Sequence, residues 1–424
     1  MKITVNTFGT RGDIQPYIAL SLGLHQAGHS VRIVTHQIFE SFVREYGLDF
    51  YPLDLDPREV LINQALSELG NNTFRINRWM KENFKPALRD IFIATLKANR
   101  DADLILNSGL SFAGWHVAEK LEIPALATYL WPVTPSRHLP ATSGKISPDW
   151  LPFRGVVNYL SAKLSNQLFF NLLLSSVNQS RKDILGLQPM KSWEYWPLDS
   201  ARSPAPLIYG FSPVVIPKPP DWSNNQQISG YWFLDTVEGY KPETDLLEFL
   251  MDSSLPIYFG FGSMVDHEQE EISQIVINAL EETNHRGILL GGWSALGSGH
   301  LPDSIFRVDA VPHDWLFPRM RAVIHHGGAG TTAAGLRAGV PSVVVPSFGD
   351  QFFWGWRVHK LGAGPKPIPR NKLTVDNLVR AIHQIENDDN LKMKAAQIGQ
   401  QIRSEKGIDA AVRMIESFAR DGHL

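Results

Sequence analysis

Between Ala322 and Arg357 the chain reads AVIHHGGAGTTAAGLRAGVPSVVVPSFGDQFFWGWR, which concentrates residue types able to do phosphate and sugar chemistry. His326, Gly328, Gly330, Thr331 and Thr332 fall within seven positions. The glycines let backbone amides approach a ligand closely. A helix opening at Thr331-Thr332, with a histidine beside it, suits a diphosphate without requiring a metal. Asp350 and Gln351 bring acceptors and donors that can read several hydroxyls of a sugar beyond that diphosphate. The elements that must hold these residues follow from the pattern. Ala322-Val323-Ile324 is a buried strand, the helix ends at Gly339 before Pro341, and Ser342–Val345 is a second strand. Taken alone, the glycines are equally compatible with a tight turn in an ordinary α/β domain.

The N-terminal part repeats the plan. Ile3-Thr4-Val5 is a strand and Gly9–Asp13 a turn. A helix runs from Ile14 to Ala27, and Val31–Val34 is the next strand. A dinucleotide site would need G-x-G-x-x-G and an acidic end to the second strand. Here there is only Gly9-x-x-Gly12, and the strand ends in Thr35-His36-Gln37, which argues against NAD. Composition narrows the class further. The 424 residues allow two domains, and 43% hydrophobic with 20% charged residues is a globular balance. A net charge of −3 gives no reason to expect a nucleic-acid partner. The chain has no cysteine, which excludes disulfides, thiolate zinc sites and cysteine nucleophiles. MKITVNTFGT leads into a strand rather than reading as a signal peptide, and no apolar run reaches the length of a spanning helix. The expected location is cytoplasmic, with membrane contact at most peripheral.

HHGGAGTTAAGLRAGVPSVVVPSFGDQ resembles the donor motif of the UDP-sugar glycosyltransferases, a large inverting family. VPHDWLFPRMRAVIHHGGAGTT followed by GDQFFWGWRV is similar to its sterol glucosyltransferase branch in particular. The resemblance implies the GT-B fold, an α/β arrangement of two facing Rossmann-like domains with a cleft between them. It implies transfer of a hexose, most simply glucose, from a UDP-sugar co-substrate to a hydroxyl of an apolar acceptor such as a sterol. No cofactor and no metal are expected. GTRGDIQP resembles the family's acceptor loop, which assigns Asp13 as the general base. An alcohol is a poor nucleophile, and a carboxylate within hydrogen-bond reach removes its proton. The residues alone also allow Asp13 to pair with Arg11 or to cap the helix. Relatives often carry a second aspartate near Asn107-Ser108, and none stands there in this chain.

Other roles follow from the same resemblance. Ser263 joins His326, Gly328, Gly330, Thr331 and Thr332 at the donor diphosphate. Trp354 flanks the sugar beside Asp350 and Gln351. The nucleobase lies along Val311, with Trp293 as a stacking platform. Trp131 and Pro132 border the acceptor pocket, with Trp79 and Phe84 from an aromatic-rich stretch. Tyr129–Ala205 reads as the least regular part of the chain, although Leu160–Val177 is amphipathic and reads as a core helix rather than a membrane anchor. Pro213–Pro220 (PVVIPKPP) is the best domain boundary. It suggests an acceptor domain at 1–212, a linker at 213–222, a donor domain at 223–405 and a C-terminal helix at 406–424 that packs back on the first domain. Hydroxylated carotenoids, other terpenoids and macrolide-like polyketides are the alternative acceptors. A nucleotide-sugar epimerase and a non-catalytic binder are the alternative classes.

Overall fold

A computed structural model of the chain describes residues 1–53, 82, 85–142, 146–191, 206–236, 240–252, 254–261, 269–291 and 301–420. Two compact units divide it. The first comprises Met1–Ala141, Ser147–Leu234 and Lys406–Leu424, the second Thr142–Ile146 and Asp235–Glu405.

The first unit is built on a seven-stranded parallel sheet: β1 (Lys2–Asn6), β2 (Ser30–His36), β3 (Asp49–Leu53), β4 (Leu104–Asn107), β5 (Ala125–Tyr129), β6 (Leu207–Tyr209) and β7 (Gln226–Ile228). Their order is β3-β2-β1-β4-β5-β6-β7. The inner strands β1, β4, β5 and β6 are short, mostly buried and apolar because helices cover both faces, as parallel sheets require, whereas the edge strands β3 and β7 are only partly buried. On one face α1 (Arg11–Gln26) packs Ile14, Tyr17, Ile18 and Leu24 onto Ile3, Val5 and Ile33. The Tyr17 hydroxyl donates to the Thr128 carbonyl at 2.9 Å, which ties α1 to β5. On the other face α2 (Lys85–Ala98), α3 (Phe112–Leu121) and the second half of α4 (Arg154–Ser180) bury Phe92, Val117, Leu173 and Val177.

The second unit has a five-stranded parallel sheet: β8 (Ile257–Gly260), β9 (Gly287–Leu290), β10 (Ile305–Val308), β11 (Ala322–His325) and β12 (Ser342–Val344), ordered β10-β9-β8-β11-β12. Here α5 (Gln269–Glu282) covers one face, and α6 (Ala329–Ala338) and α7 (Gln351–Lys360) carry the residues of interest. The last helix, α8 (Gly407–Phe418), belongs to the first unit, where Ala411, Val412, Ile415 and Phe418 join the α1 core.

Two expectations change. Pro213–Pro220 joins β6 to β7 of one sheet, and the units divide at Leu234/Asp235. The stretch is anchored rather than linking, because Val215 and Ile216 are buried and Trp222 stacks on Tyr209 at 4.8 Å. Proline density reports missing backbone donors, not a gap between cores. Nor is Tyr129–Ala205 irregular throughout, since it contains the 27-residue α4.

Candidate functional site

In open parallel sheets, ligands bind beyond the carboxyl ends of the strands where the strand order reverses. In the second unit that point lies between β8 and β11. The loop after β11 is His325-His326-Gly327-Gly328, and it delivers the chain into α6. Gly328 is the N-cap and provides no side-chain cap, so the first amides of α6 keep their donors for another partner. A Cβ at Gly330 would meet nothing within 4 Å, so the protein's own packing does not demand glycine there. A Cβ at Gly328 would stand 2.5 Å from His326 Nε2, so this glycine makes room for the imidazole. Thr331 is partly exposed at the helix start, whereas Thr332 is fully buried and belongs to the helix–sheet packing.

The two histidines are held neutral by their surroundings. Burial drives His325 well below the usual imidazole range, reinforced by His326 and His313. Burial brings His326 down to about 4, with the Gly260 backbone opposing it. His325 Nδ1 accepts the Gly327 N–H at 3.0 Å, which shapes the turn. An unfolded chain protonates histidine near pH 6.5, about two units before folded His326 does. As the pH falls through that window the unfolded state takes up protons first, so stability is expected to decrease from about pH 6.5 towards 4. Thermal melts between pH 7 and 5 should show the loss, and His326→Gln should make it shallower.

After β12, Asp350 stands at the N-cap position of α7 without a side-chain cap bond, and its Oδ2 accepts the Trp354 indole N–H at 2.9 Å. The Gln351 Oε1 accepts the Ser347 and Phe348 amides at 2.8 and 3.3 Å. Trp354 is fully buried and Gln351 nearly so. Trp354 therefore does not flank a sugar. It fixes the Asp350 carboxylate, while the Gln351 carbonyl shapes the loop before it. Trp354→Phe removes a charge-assisted bond worth about 1.5–3 kcal/mol. On the expectation that Asp350 holds the donor sugar, donor KM should rise roughly ten-fold or more, with a smaller change in kcat, as steady-state kinetics would show.

Val311 is half-buried in the loop after β10, against the cluster containing Leu316 and Phe317. The loop continues into His313, whose ring stacks on Phe317 at 4.3 Å and whose Nε2 lies 3.5 Å from the Tyr258 hydroxyl. Ser263, Trp293, Trp79 and Phe84 lie outside the described residues.

The first unit reverses strand order between β1 and β4, and Asp13 stands there in the first turn of α1. Its Oδ2 accepts the Thr10 amide at 2.8 Å and the Thr10 hydroxyl at 3.0 Å. Among the described residues Oδ1 has no hydrogen-bond partner. Burial lifts the carboxyl above its ordinary range, against the two bonds from Thr10. Asp13 thus caps the helix through one oxygen and leaves the other available, while Arg11 turns to Gln15. Gly9 has φ +124°, and a Cβ there would strike the Asp13 carboxylate. Its amide donates to His36 Nε2 at 3.2 Å. Asn107 is occupied structurally, accepting from Asn6 Nδ2 at 3.0 Å. Beyond β5, Trp131 lies against Gly109, where a Cβ would be 2.9 Å from its ring. Asp13, Gly109 and Trp131 thus follow the adjacent strands β1, β4 and β5 along one sheet edge. Pro132 is buried and does not line that edge.

Sequence reasoning passes over Gly327, Gly9 and His36. Gly327 has φ +95°, and a Cβ there would lie 2.6 Å from Val344 Cγ1 and 3.0 Å from the Gln351 carbonyl oxygen. A run of glycines does not reveal which member carries the positive φ.

Residues 3–140 match the glycosyltransferase family 28 N-terminal domain, and residues 274–415 match the erythromycin biosynthesis protein CIII-like C-terminal domain. Sterol 3-beta-glucosyltransferase UGT80B1 of Arabidopsis thaliana is 36% identical over 423 residues, covering 97% of this chain and 67% of the relative. Sterol 3-beta-glucosyltransferase of Aspergillus oryzae is 37% identical over 427 residues, 98% of this chain but 30% of the relative. The chain thus spans 30% of the length of the A. oryzae relative and 65% of that of UGT80A2 of A. thaliana. Among solved structures, the kitacinnamycin glycotransferase aligns with TM-score 0.70 at 16% identity, covering 98% of both chains. SnogD from Streptomyces nogalater aligns with TM-score 0.67 at 17% identity, covering 99% of this chain and all of that one. These likenesses identify the fold as GT-B.

Proposed function

Because the chain belongs to the glycosyltransferase family that includes the sterol 3-beta-glucosyltransferases, we propose that it transfers glucose from UDP-glucose to the hydroxyl of a sterol or sterol-like lipid. The observation that carries the reading is the form of the two switch points. One bears a carboxylate with a spare oxygen, and the other a helix start with unused amides beside a neutral histidine.

The chemistry follows from those groups. Asp13 Oδ1 accepts the proton of the acceptor hydroxyl as its oxygen attacks the anomeric carbon. The bond from that carbon to the diphosphate oxygen breaks, and UDP leaves from the opposite face. The charge building on the diphosphate is met by the first amides of α6, the Thr331 hydroxyl and His326. Asp350, fixed by Trp354, accepts hydrogen bonds from the sugar hydroxyls. The proton ends on Asp13, whose raised affinity for it favours the transfer.

The test is a panel of sterol, carotenoid and macrolide alcohols incubated with UDP-glucose and analysed by mass spectrometry. A hexosylated sterol is the expected product. A hexosylated carotenoid or macrolide alone would move the acceptor assignment, and conversion of the sugar nucleotide without any acceptor would replace transfer with epimerisation.

A further inference from the structure

The turn that carries Asp13 is held by the neighbouring strand. The β1–β2 register ends with Asn6 opposite Val34, and the Thr7 amide still donates to the Val34 carbonyl at 3.0 Å. Beyond that point the backbone ladder stops, yet Gly9 is buried and its amide needs an acceptor. His36, the last residue of β2 and 4% exposed, supplies one, because its Nε2 accepts the Gly9 N–H at 3.2 Å. A ring nitrogen that accepts carries no hydrogen, so the neutral imidazole is protonated on Nδ1. Phe8 and Phe39 flank the ring edge-to-face, at 5.9 and 6.5 Å between centroids.

We propose that His36 is a positioning residue for Asp13: by holding the Gly9 amide it places the Thr10 donors that aim the carboxylate. The role rests on the reading of Asp13 as the general base. Three contacts connect the two residues. The Asp13 carboxylate lies where a Cβ on Gly9 would stand, so any shift of Gly9 moves the wall behind it. Thr10, the next residue, gives Oδ2 both of its bonds. The Thr7 hydroxyl donates to the Asp13 carbonyl at 3.1 Å, so the turn is fastened at both ends. Without the imidazole the Gly9 amide is a buried donor with no acceptor, and the turn relieves that cost by moving. Thr10 then moves with it, and Oδ1 no longer faces the acceptor hydroxyl. A base displaced by a fraction of an ångström loses rate without losing its chemistry.

The test measures UDP release from UDP-glucose by the full chain, with the panel alcohols as acceptors. His36→Phe keeps an aromatic ring between Phe8 and Phe39 but removes the acceptor. It is expected to lower kcat roughly ten- to hundred-fold. UDP-glucose KM and binding should be unchanged, since the residues assigned to the donor lie in the second unit. His36→Gln, whose amide oxygen accepts an N–H, should recover most of the rate. A residue that acts only through Asp13 adds nothing once the carboxylate is gone, so His36→Phe with Asp13→Asn should turn over no more slowly than Asp13→Asn alone. Nitrogen-15 spectra of the histidine rings, assigned by comparison with His36→Gln, need neither turnover nor the phenylalanine variant. They should show the His36 hydrogen on Nδ1. Thermal melts separate lost rate from lost structure. Unchanged kcat in folded His36→Phe, losses that add in full in the double variant, or a hydrogen on Nε2 would each overturn the proposal while leaving Asp13 as the base. Full turnover by Asp13→Asn would instead overturn the base assignment, and the proposal with it.

Discussion

Asp13→Asn is expected to lower kcat by roughly 10²–10⁴-fold, the range for loss of a positioned general base, with donor binding unchanged. The substitution isolates the chemistry. Asparagine keeps a side-chain oxygen to accept the Thr10 amide, so the cap on α1 survives and only the proton acceptor is lost. Stability should respond in the opposite sense to activity. A carboxyl whose affinity for a proton rises on folding makes its ionised form costly in the native state, so stability falls as the group ionises. Removing the charge is therefore expected to leave the melting temperature equal or higher. For the wild type, the acid limb of kcat should lie above the ordinary carboxylate range, because the raised group loses its basic form sooner as the pH falls. Stopped-time assays of UDP release with and without acceptor, together with thermal melts, test both halves. A fall in melting temperature matching the fall in rate would assign Asp13 a purely structural role.

Gly327→Ala should be the most damaging change in the donor loop. The position combines φ +95° with a backbone pressed against Val344 and Gln351. A methyl group there must displace β12 or the start of α7, and the positive φ adds strain of its own. A loss of about 2–4 kcal/mol is expected from the two effects together, along with weakened UDP-glucose binding. Gly330→Ala provides the contrast. Its Cβ would enter open space, so folding should be unaffected, and any loss of donor binding would report crowding where the diphosphate sits. Calorimetric titration with UDP-glucose and thermal melts of both variants distinguish the cases. Equal stability of the two proteins would contradict the steric account of Gly327.

Much of the site is legible because it is local. The β11 strand, the glycine turn, the hydroxyls that open α6 and Asp350 at the start of α7 lie within about thirty residues. Their types state their chemistry before any packing is known. Asp13 is similarly readable, being three residues beyond the N-cap of a helix that follows a buried strand. Burial is what the residues do not announce. Trp354 and Gln351 carry the groups expected of ligand contacts, yet α7 packs both inward, and they act on Asp350 and on the loop at Ser347. The amphipathic text of α4 fixes two faces without saying which is covered. Leu173 is in the core, whereas Leu164 and Leu168, on another side of the same helix, face outward. The division between units depends on pairing across the whole sheet. β6 and β7 flank the proline stretch, but only their hydrogen-bonded register reveals that both belong to one sheet.

The anomeric configuration of the product tests the mechanism most directly. The donor sugar is α-linked to its diphosphate, so direct displacement with Asp13 as the single base must yield a β-glucoside. Proton NMR of the purified lipid glucoside, read at the anomeric position, should show the large coupling of two axial hydrogens. The small coupling of an α-glucoside would mean retention, require a second displacement, and contradict the account of Asp13.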